Sequence, residues 1–355
     1  MPSKVDASGF DAAGAGDPEG SVFGLPFSAE QSSVVLLPVP WEATTSYGRG
    51  TAQGPAAVRA ASPQLDLFDI GLAEHGLGQP WHYGIHMLSE DEEIVASNER
   101  ACARALPVIA AGGVVEHDLA LLAARDEVNL LSRSLDHWVE TRVSALLARG
   151  KIVGVVGGDH SVALGSIAAH ARRFPGMGVL HVDAHADLRR AYEGFERSHA
   201  SVFGNVLELV PEVARIVQVG IRDVSTEEHA LAQSDPRMRT HYDPQVRRRL
   251  ARGLSFASWC DEVIDELPAQ VYVSFDIDGL DPALCPGTGT PVPGGFSFAE
   301  AVMLLETLHA RGKTVVGFDL VEVAAAPEQQ WDGNVGARIL YKLCGLALLT
   351  QGARD

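Results

Sequence analysis

The chain has 355 residues, of which 46% are hydrophobic and 21% are charged. This composition is that of a folded globular protein and excludes general disorder. The 46 acidic residues outnumber the 28 basic residues, and the net charge of −18 argues against nucleic acid and against anionic membrane surfaces as partners.

The N-terminal segment indicates neither export nor membrane insertion. Residues 1–33 are rich in Gly, Ala, Ser and Asp, and they lack a basic start followed by an apolar core, so we expect a flexible tail there. No run of about 18 apolar residues occurs in the chain. The cysteines, Cys102, Cys260, Cys285 and Cys344, include no CxxC pair, which favours a reducing compartment. We therefore expect a cytoplasmic protein.

The predicted elements begin with a strand over 34–39, followed by a loop and a short helix over 56–61 that Gly54 and Pro55 open. Between residues 91 and 149 apolar side chains recur at i, i+3, i+4 and i+7, which predicts a helical insertion. Beyond it, short apolar runs alternate with segments long enough for helices. The predicted strands there cover 152–156, 178–182, 216–219, 271–275 and 314–318.

This alternation predicts an α/β fold with a doubly wound, mainly parallel sheet. Because the composition does not change between residues 34 and 355, we read 34–355 as a single domain. Ligands of such sheets bind beyond the carboxyl ends of the strands. Functional residues are therefore expected directly after the predicted strands.

Polar clusters follow three of these strands. Where a strand continues, alternate residues face the same side, so side chains within a cluster can converge. Burying several carboxylates together without a cation would force protonation or strong repulsion, although each residue taken alone could be a helix cap. The residues are His160 after the first of the three strands, Asp183, His185 and Asp187 after the second, and Asp276 and Asp278 after the third.

Four carboxylates and two imidazoles suit a first-row divalent ion such as Mn²⁺ better than Ca²⁺ or Mg²⁺, and Ni²⁺, Co²⁺ and Fe²⁺ are alternatives. Six such side chains can hold two ions if some of them bridge. No phosphate-binding GxGxxG or GxxxxGK[ST] pattern accompanies the cluster, so a nucleotide ligand receives little support.

These motifs resemble those of the ureohydrolase family, which includes arginases and agmatinases. The resemblance implies a three-layer α/β/α fold, a centre of two Mn²⁺ ions held by the six residues, release of urea from a cationic guanidino substrate, and a homo-oligomer, either a trimer or a hexamer. The matching motifs are GGDHS at 157–161, HVDAHADLR at 181–189, SHAS at 198–201 and SFDIDGLDP at 274–282.

By the same resemblance, His199 falls where the family places a proton-shuttling histidine, and Glu322 falls where a carboxylate meets the substrate guanidinium. The chemistry agrees with both roles. Two ions can hold a bridging hydroxide as the nucleophile. Glu322 would position the planar guanidinium through paired hydrogen bonds, and His199 could deliver a proton to the departing amine.

The loop 187–199 resembles that of bacterial agmatinases, which makes agmatine, hydrolysed to putrescine and urea, the predicted substrate. Arg189 and Arg197 in this loop are candidates for substrate contact, with loop salt bridges as their alternative. Ser225 is a further candidate, because it stands where arginases carry an acid. A guanidino acid, guanidine, arginine and formimidoylglutamate stay open as alternative substrates.

Two readings from other classes also stay open. A cysteine-dependent deiminase would act on guanidines too, and Cys285 near the third cluster is its candidate nucleophile. A non-catalytic metal-binding assembly subunit would keep the metal ligands without hydrolysing anything.

Overall fold

The structure, a computed structural model, describes residues 2–14, 16–17, 20–325 and 330–355. Within them, eight parallel strands form one sheet. The strands are β1 (Val34–Val39), β2 (Ile85–Met87), β3 (Ile152–Gly157), β4 (Gly178–Val182), β5 (Arg215–Val219), β6 (Met238–His241), β7 (Gln270–Asp276) and β8 (Thr314–Val321). Their order across the sheet is β2-β1-β3-β8-β7-β4-β5-β6.

Helices connect consecutive strands and cover the sheet. The α-helices of the described residues are α1 (Gly54–Ala61), α2 (Ile70–Ala73), α3 (Glu92–Ala110), α4 (Leu119–Ala148), α5 (Ala163–Arg173), α6 (Val202–Leu209), α7 (Thr226–Ser234), α8 (Asp243–Ala251), α9 (Phe256–Asp265), α10 (Phe298–Ala310) and α11 (Trp331–Thr350).

The apolar strands separate two helical layers. Val34 of β1 belongs to the same buried cluster as Leu340 of α11, whereas its neighbour Val35 belongs to the cluster that contains Val139 of α4. Because successive strand residues point to opposite faces, this alternation places α11 and α4 on opposite sides of the sheet. The predicted three-layer α/β/α fold is confirmed.

All six predicted strands are present, but β2 and β6 were not predicted from the sequence. Both are short edge strands, and their sequences, IHM and MRTH, are partly polar. An edge strand is less completely covered than a central parallel strand, so it does not require a continuous apolar run.

Part of the expected flexible tail packs into the core. Val22, Phe23 and Leu25 are buried, and the Phe23 ring meets the Tyr341 ring of α11 edge-on with centroids 4.9 Å apart. The expectation is wrong for this stretch, because its closely spaced apolar side chains gain free energy from burial against α11. Residues 1, 15, 18 and 19 of the segment lie outside the described residues.

The predicted helical region contains α3 and α4. Each helix has an aspartate at its N-cap: Asp91 Oδ1 accepts from Glu93 N, and Asp118 Oδ1 accepts from Ala120 N, which satisfies backbone donors that the helix leaves free. The interpretation of this region as an insertion in a single domain of residues 34–355 stays a prediction.

Among the described residues, no helix has both the length and the apolar character needed to span a bilayer.

Candidate metal centre

The predicted metal-binding residues lie together beyond the carboxyl ends of β3, β4 and β7. Asp276 is the last residue of β7 and Asp278 lies in the helical turn that follows. Strand β4 ends at Val182, so the residues after it converge through a loop and not through the alternation of a continuing strand. In that loop Asp187 has a φ of 53°, a left-handed conformation that is uncommon outside glycine.

One half of the cluster surrounds the His160 imidazole. Its Nδ1 atom lies 2.9 Å from Asp183 Oδ2, 3.1 Å from Asp187 Oδ2 and 3.2 Å from Asp276 Oδ2. All four side chains are buried. In the other half, His185 Nδ1 lies 3.4 Å from Asp183 Oδ1, so Asp183 is shared by the two halves.

Backbone N–H groups orient the carboxylates. His185 N donates to Asp183 Oδ1 at 2.6 Å, Ala184 N donates to Asp278 Oδ1 at 3.0 Å, and Asp278 N donates to Asp276 Oδ1 at 2.8 Å. The Oδ2 atoms of these three aspartates face the imidazoles, with Asp278 Oδ2 3.0 Å from His185 Nδ1, and Asp183 also directs Oδ1 toward His185. Each of the three therefore directs at least one oxygen at the space between the side chains.

The electrostatics of the cluster favour a bound cation. Burial and the neighbouring Asp183 carboxylate raise the pKa of Asp187 to about 7, and burial together with Asp278 and Asp183 raises the pKa of Asp276 well above its usual range. Burial opposes a charge on His185, yet the Asp278 and Asp183 carboxylates raise its pKa to about 12. The site therefore stabilises positive charge strongly.

The donor set fits a centre of two divalent ions. Two groups of ligand atoms each lie within 4.8 Å of one another and share Asp183. Imidazole nitrogens and carboxylate oxygens in this proportion suit first-row divalent metals. The groups are His160, His181, Asp183 and Asp187, and Asp183, His185 and Asp278.

A cavity of about 170 Å³ opens beside the cluster. His199 lies in its wall, where Nδ1 is 3.4 Å from Thr44 Oγ1. Burial, followed by the charges of His185 and His160, lowers the pKa of His199 to about 4. The side chains lining the cavity are Ser46, His185, Asp187, Arg189, Tyr192, His199, Ala200, Asp223, Val224, Glu228 and Thr290.

Glu322 lies directly after β8, beside the metal cluster. Its Oε1 atom accepts from His160 N at 2.9 Å, and burial with the nearby Asp159 carboxylate raises its pKa well above the usual range. Its φ is 61°, and its backbone is fixed by hydrogen bonds from Glu322 N to Gly158 O and from Thr288 Oγ1 to Glu322 O. The strained backbone is therefore held in place on both sides.

The three other substrate-binding candidates have different surroundings. Arg189 lines the cavity, where its guanidinium lies over the Tyr192 ring and 3.6 Å from Glu228 Oε2. Arg197 and Ser225 are not among the described residues that line the cavity. Arg197 Nε instead pairs with Asp136 Oδ2 at 3.0 Å, and Ser225 caps α7. For Arg197 the structure shows the salt bridge that was the alternative reading.

Several residues of the cavity wall were not predicted from the sequence. Asp223, Tyr192 and Thr290 line the cavity but were not among the candidates. Asp223 could have been found, because it follows β5 at the same edge of the sheet as the metal cluster. Tyr192 lies in the loop 187–199, and Thr290 lies in the loop that follows the third cluster; both segments were recognised, but these side chains were not singled out within them.

Cys285 is not placed for a nucleophilic role. Its side chain is fully buried and its thiol donates to Ile277 O at 3.1 Å. Burial, followed by the Asp278 and Asp276 carboxylates, raises its pKa, so the reactive thiolate is disfavoured. The deiminase alternative therefore loses its candidate nucleophile.

The cluster of carboxylates and imidazoles at the carboxyl ends of a parallel sheet gives the class of protein: an α/β protein whose donor set fits a dinuclear metal site. The sequence matches the Arginase family over residues 32–345. The chain belongs to this family of hydrolases.

The similarity to individual relatives supports the same family assignment. The N(1)-aminopropylagmatine ureohydrolase of Thermus thermophilus is 35% identical over 331 residues, 91% of this chain and 93% of the relative. The agmatinase of Bacillus anthracis is 33% identical, covering 84% of this chain and 85% of the relative. The crystal structure of the agmatine ureohydrolase of Thermoplasma volcanium is similar with a TM-score of 0.67 and 25% identity, covering 91% of this chain and 92% of that chain.

Proposed function

We propose that the chain hydrolyses the guanidino C–N bond of agmatine, releasing urea and putrescine. The observation that carries this proposal is the cluster of four aspartates and two histidines, largely buried, beside a cavity whose wall includes His199. Relatives named agmatinase cover most of the chain and support the choice of agmatine.

Two Mn²⁺ ions are the proposed cofactor, with Ni²⁺, Co²⁺ or Fe²⁺ as alternatives. When bound, such ions act as Lewis acids and lower the pKa of water, which supplies a nucleophile at neutral pH. The residues that would hold them are His160, Asp183, His185, Asp187, Asp276 and Asp278.

The proposed roles of Glu322 and His199 follow from their positions. Glu322 is buried and its backbone is fixed, so we propose that its carboxylate orients the planar guanidinium. It is not among the described residues that line the cavity, and its Oε1 atom already accepts from His160 N. His199 lines the cavity and its lowered pKa keeps it neutral near pH 7. It would therefore take up the proton that the attacking water loses and pass it to the departing amine.

The cavity wall favours a cationic tail on the substrate. Asp223 is exposed in this wall and can accept hydrogen bonds from an ammonium group. The Arg189 guanidinium is already close to Glu228, so its charge is partly compensated and less free to bind a carboxylate. Agmatine therefore fits better than arginine or a guanidino acid.

N(1)-aminopropylagmatine is a second candidate substrate. The identity of 35% over 91% of this chain to an N(1)-aminopropylagmatine ureohydrolase favours it specifically. Its longer cationic tail would also meet the acidic side of the cavity wall.

A urea-release screen tests these proposals. Metal-free protein is loaded with Mn²⁺ or Ni²⁺ and assayed with agmatine, N(1)-aminopropylagmatine, arginine, guanidinobutyrate and guanidine. The highest kcat/KM is expected for agmatine, and turnover of only carboxylate-bearing substrates would overturn that choice. Metal-loaded protein that releases no urea from any of them would favour the non-catalytic assembly subunit.

The two loop arginines provide a matched pair in the same screen. Arg189→Ala removes a side chain from the cavity wall and is expected to change KM for agmatine. Arg197→Ala removes a side chain that pairs with Asp136 outside the wall, and KM should stay unchanged. Equal effects of the two substitutions on KM would argue against substrate contact by Arg189.

The remaining proposals concern the state of the protein in the cell. We propose a cytoplasmic homo-oligomer, a trimer or hexamer, in which residues 34–355 act as one domain and which has no nucleic-acid or membrane partner. Light scattering of the purified protein gives the oligomeric state directly, and a monomer would contradict the proposal.

A further inference from the structure

A row of polar side chains crosses the sheet beneath the metal cluster. The register of the parallel strands places Asp319 beside Ser274, Ser274 beside His181, His181 beside Gln218, and Gln218 beside Thr240. The first four residues have no solvent exposure. Side chains at paired positions of a parallel sheet point to the same face, so the five form one continuous polar layer in a largely apolar sheet.

The hydrogen bonds of Gln218 fix the tautomer of His181. The amide of Gln218 lies 2.7 Å from Ala186 O, and because a carbonyl oxygen only accepts, the facing atom is the amide nitrogen. Thr240 Oγ1 donates to the amide oxygen at 2.9 Å, which agrees with this orientation. The same nitrogen lies 3.0 Å from His181 Nδ1, so His181 Nδ1 accepts a hydrogen bond.

His181 then carries its proton on Nε2. That atom lies 2.8 Å from Asp183 Oδ2, so the imidazole donates to the carboxylate that both halves of the cluster share. A nitrogen that donates a hydrogen bond has no lone pair for a metal ion. His181 is thus excluded as a ligand by hydrogen-bond direction, although its distance to the cluster would allow it to be one.

At the other end of the row, Ser274 determines which ring nitrogen of His160 carries the proton. Ser274 Oγ donates to Asp319 Oδ1 at 2.9 Å, which uses the single hydroxyl proton of the serine. Ser274 Oγ therefore accepts from His160 Nε2, also at 2.9 Å. The lone pair of His160 is then on Nδ1, the atom that faces the aspartates of the cluster.

We propose that the row Asp319–Ser274–His181–Gln218–Thr240 is a positioning layer for the metal centre, in which His181 donates to Asp183 and does not bind metal, while Ser274 fixes Nδ1 as the ligating atom of His160. This inference rests on the metal centre of the proposed function. Hydrogen-bond partners behind metal ligands set ligand orientation, and losing one typically costs about 10- to 100-fold in metal affinity.

Substitutions at His181 distinguish a donor from a ligand. His181→Gln keeps a side-chain donor but offers only a weak amide ligand, whereas His181→Leu removes both. Metal-free protein is titrated with Mn²⁺, and free Mn²⁺ is followed by electron paramagnetic resonance, without substrate. We expect two ions per chain in both variants, with affinity closer to wild type in His181→Gln. A stoichiometry of one ion in both variants would show that His181 is a ligand and overturn the proposal.

Gln218→Glu tests the direction of the hydrogen bonds with almost no change in shape. A carboxylate cannot donate to His181 Nδ1, so the fixed tautomer is lost, and Mn²⁺ affinity should fall about 10- to 100-fold. The control is Thr307→Val, which removes a buried hydroxyl that donates to Met303 O within α10. That variant should bind Mn²⁺ as wild type does.

Thr240→Val and Ser274→Ala are milder tests of the same row, because each removes only one hydroxyl group. They can be measured even if a substitution at His181 or Gln218 prevents folding. Melting curves of the metal-free proteins establish that they fold. Wild-type Mn²⁺ affinity in both, together with wild-type affinity in Gln218→Glu, would overturn the positioning layer. If the wild-type protein itself binds no divalent ion, the metal centre of the proposed function fails, which is a separate result.

Discussion

His160 Nδ1 lies 2.9 Å from Asp183 Oδ2, although the two residues are 23 positions apart and follow strands that are not neighbours. In the sheet, β8 and β7 lie between β3 and β4, a separation of roughly 14 Å at about 4.8 Å per strand. The loops after β3 and β4 therefore reach toward each other over the ends of the two intervening strands. A metal ion held between them would tie these loops together.

Metal removal is expected to lower stability as well as activity. Each ion that binds only the folded chain adds about 2.7 kcal/mol to the free energy of unfolding when its concentration is 100 times its Kd. Dialysis against a chelator should lower the melting temperature and abolish urea release, and Mn²⁺ should restore both. An unchanged melting temperature after complete removal, verified by elemental analysis, would contradict a metal centre in this cluster.

Asp276→Asn is expected to separate metal binding from intrinsic stability. The carboxylate is buried beside Asp278 and Asp183, which raise its pKa, so a neutral amide relieves repulsion in the metal-free protein. The metal-free variant should melt at or above the wild-type temperature. Its Mn²⁺ affinity should fall more than it does when only a hydrogen-bond partner of a ligand is lost, a change that typically costs about 10- to 100-fold. Calorimetry of both forms gives the two quantities, and unchanged affinity would exclude Asp276 as a ligand.

His199→Asn tests the proton-transfer role. A positioned acid or base contributes about 10²- to 10⁴-fold to a rate, so kcat should fall by about 100-fold or more. Because His199 is not in either group of potential metal ligands, Mn²⁺ stoichiometry should stay at the wild-type value. A parallel loss of bound metal would show that the substitution acts on the metal centre instead.

His170 is expected to make the protein sensitive to acid. It is fully buried, and burial lowers its pKa from 6.5 to about 4, so the unfolded chain binds more protons between these two values. Stability is therefore fully present above pH 6.5 and decreases as the pH falls toward 4. His170→Asn should reduce the slope of unfolding free energy against pH by up to about 1.4 kcal/mol per pH unit. Urea unfolding curves recorded between pH 4 and 7 measure this slope, and an unchanged slope in His170→Asn would contradict the prediction.

Gly158→Ala is expected to displace the loop that carries His160. A Cβ atom at this position would lie 1.8 Å from Trp41 O, so the backbone has to move, at a cost of at least about 1–3 kcal/mol. Both the melting temperature and Mn²⁺ affinity should fall. Gly253→Ala is the control, because its Cβ meets no atom within 4 Å and its φ of 102° adds only local strain. Wild-type Mn²⁺ affinity in Gly158→Ala would show that the loop tolerates the shift.

The sequence by itself determined the fold class and most members of the metal cluster. Buried parallel strands are continuous apolar runs, and their carboxyl ends lie at one edge of the sheet, so His160, Asp183 and Asp276 could be grouped from local patterns alone. The same rule would have found Asp223 after β5.

Only the tertiary structure decided which strands are neighbours and what each side chain faces. The polar row needs the register of β8, β7, β4, β5 and β6, and register depends on pairing between distant segments that no local pattern encodes. For the same reason the burial of Phe23 against Tyr341 and the pairing of Arg197 with Asp136 could not be read from the sequence. Local periodicity determines what a segment forms, whereas contacts between distant segments determine which of its polar groups are left to act on a ligand.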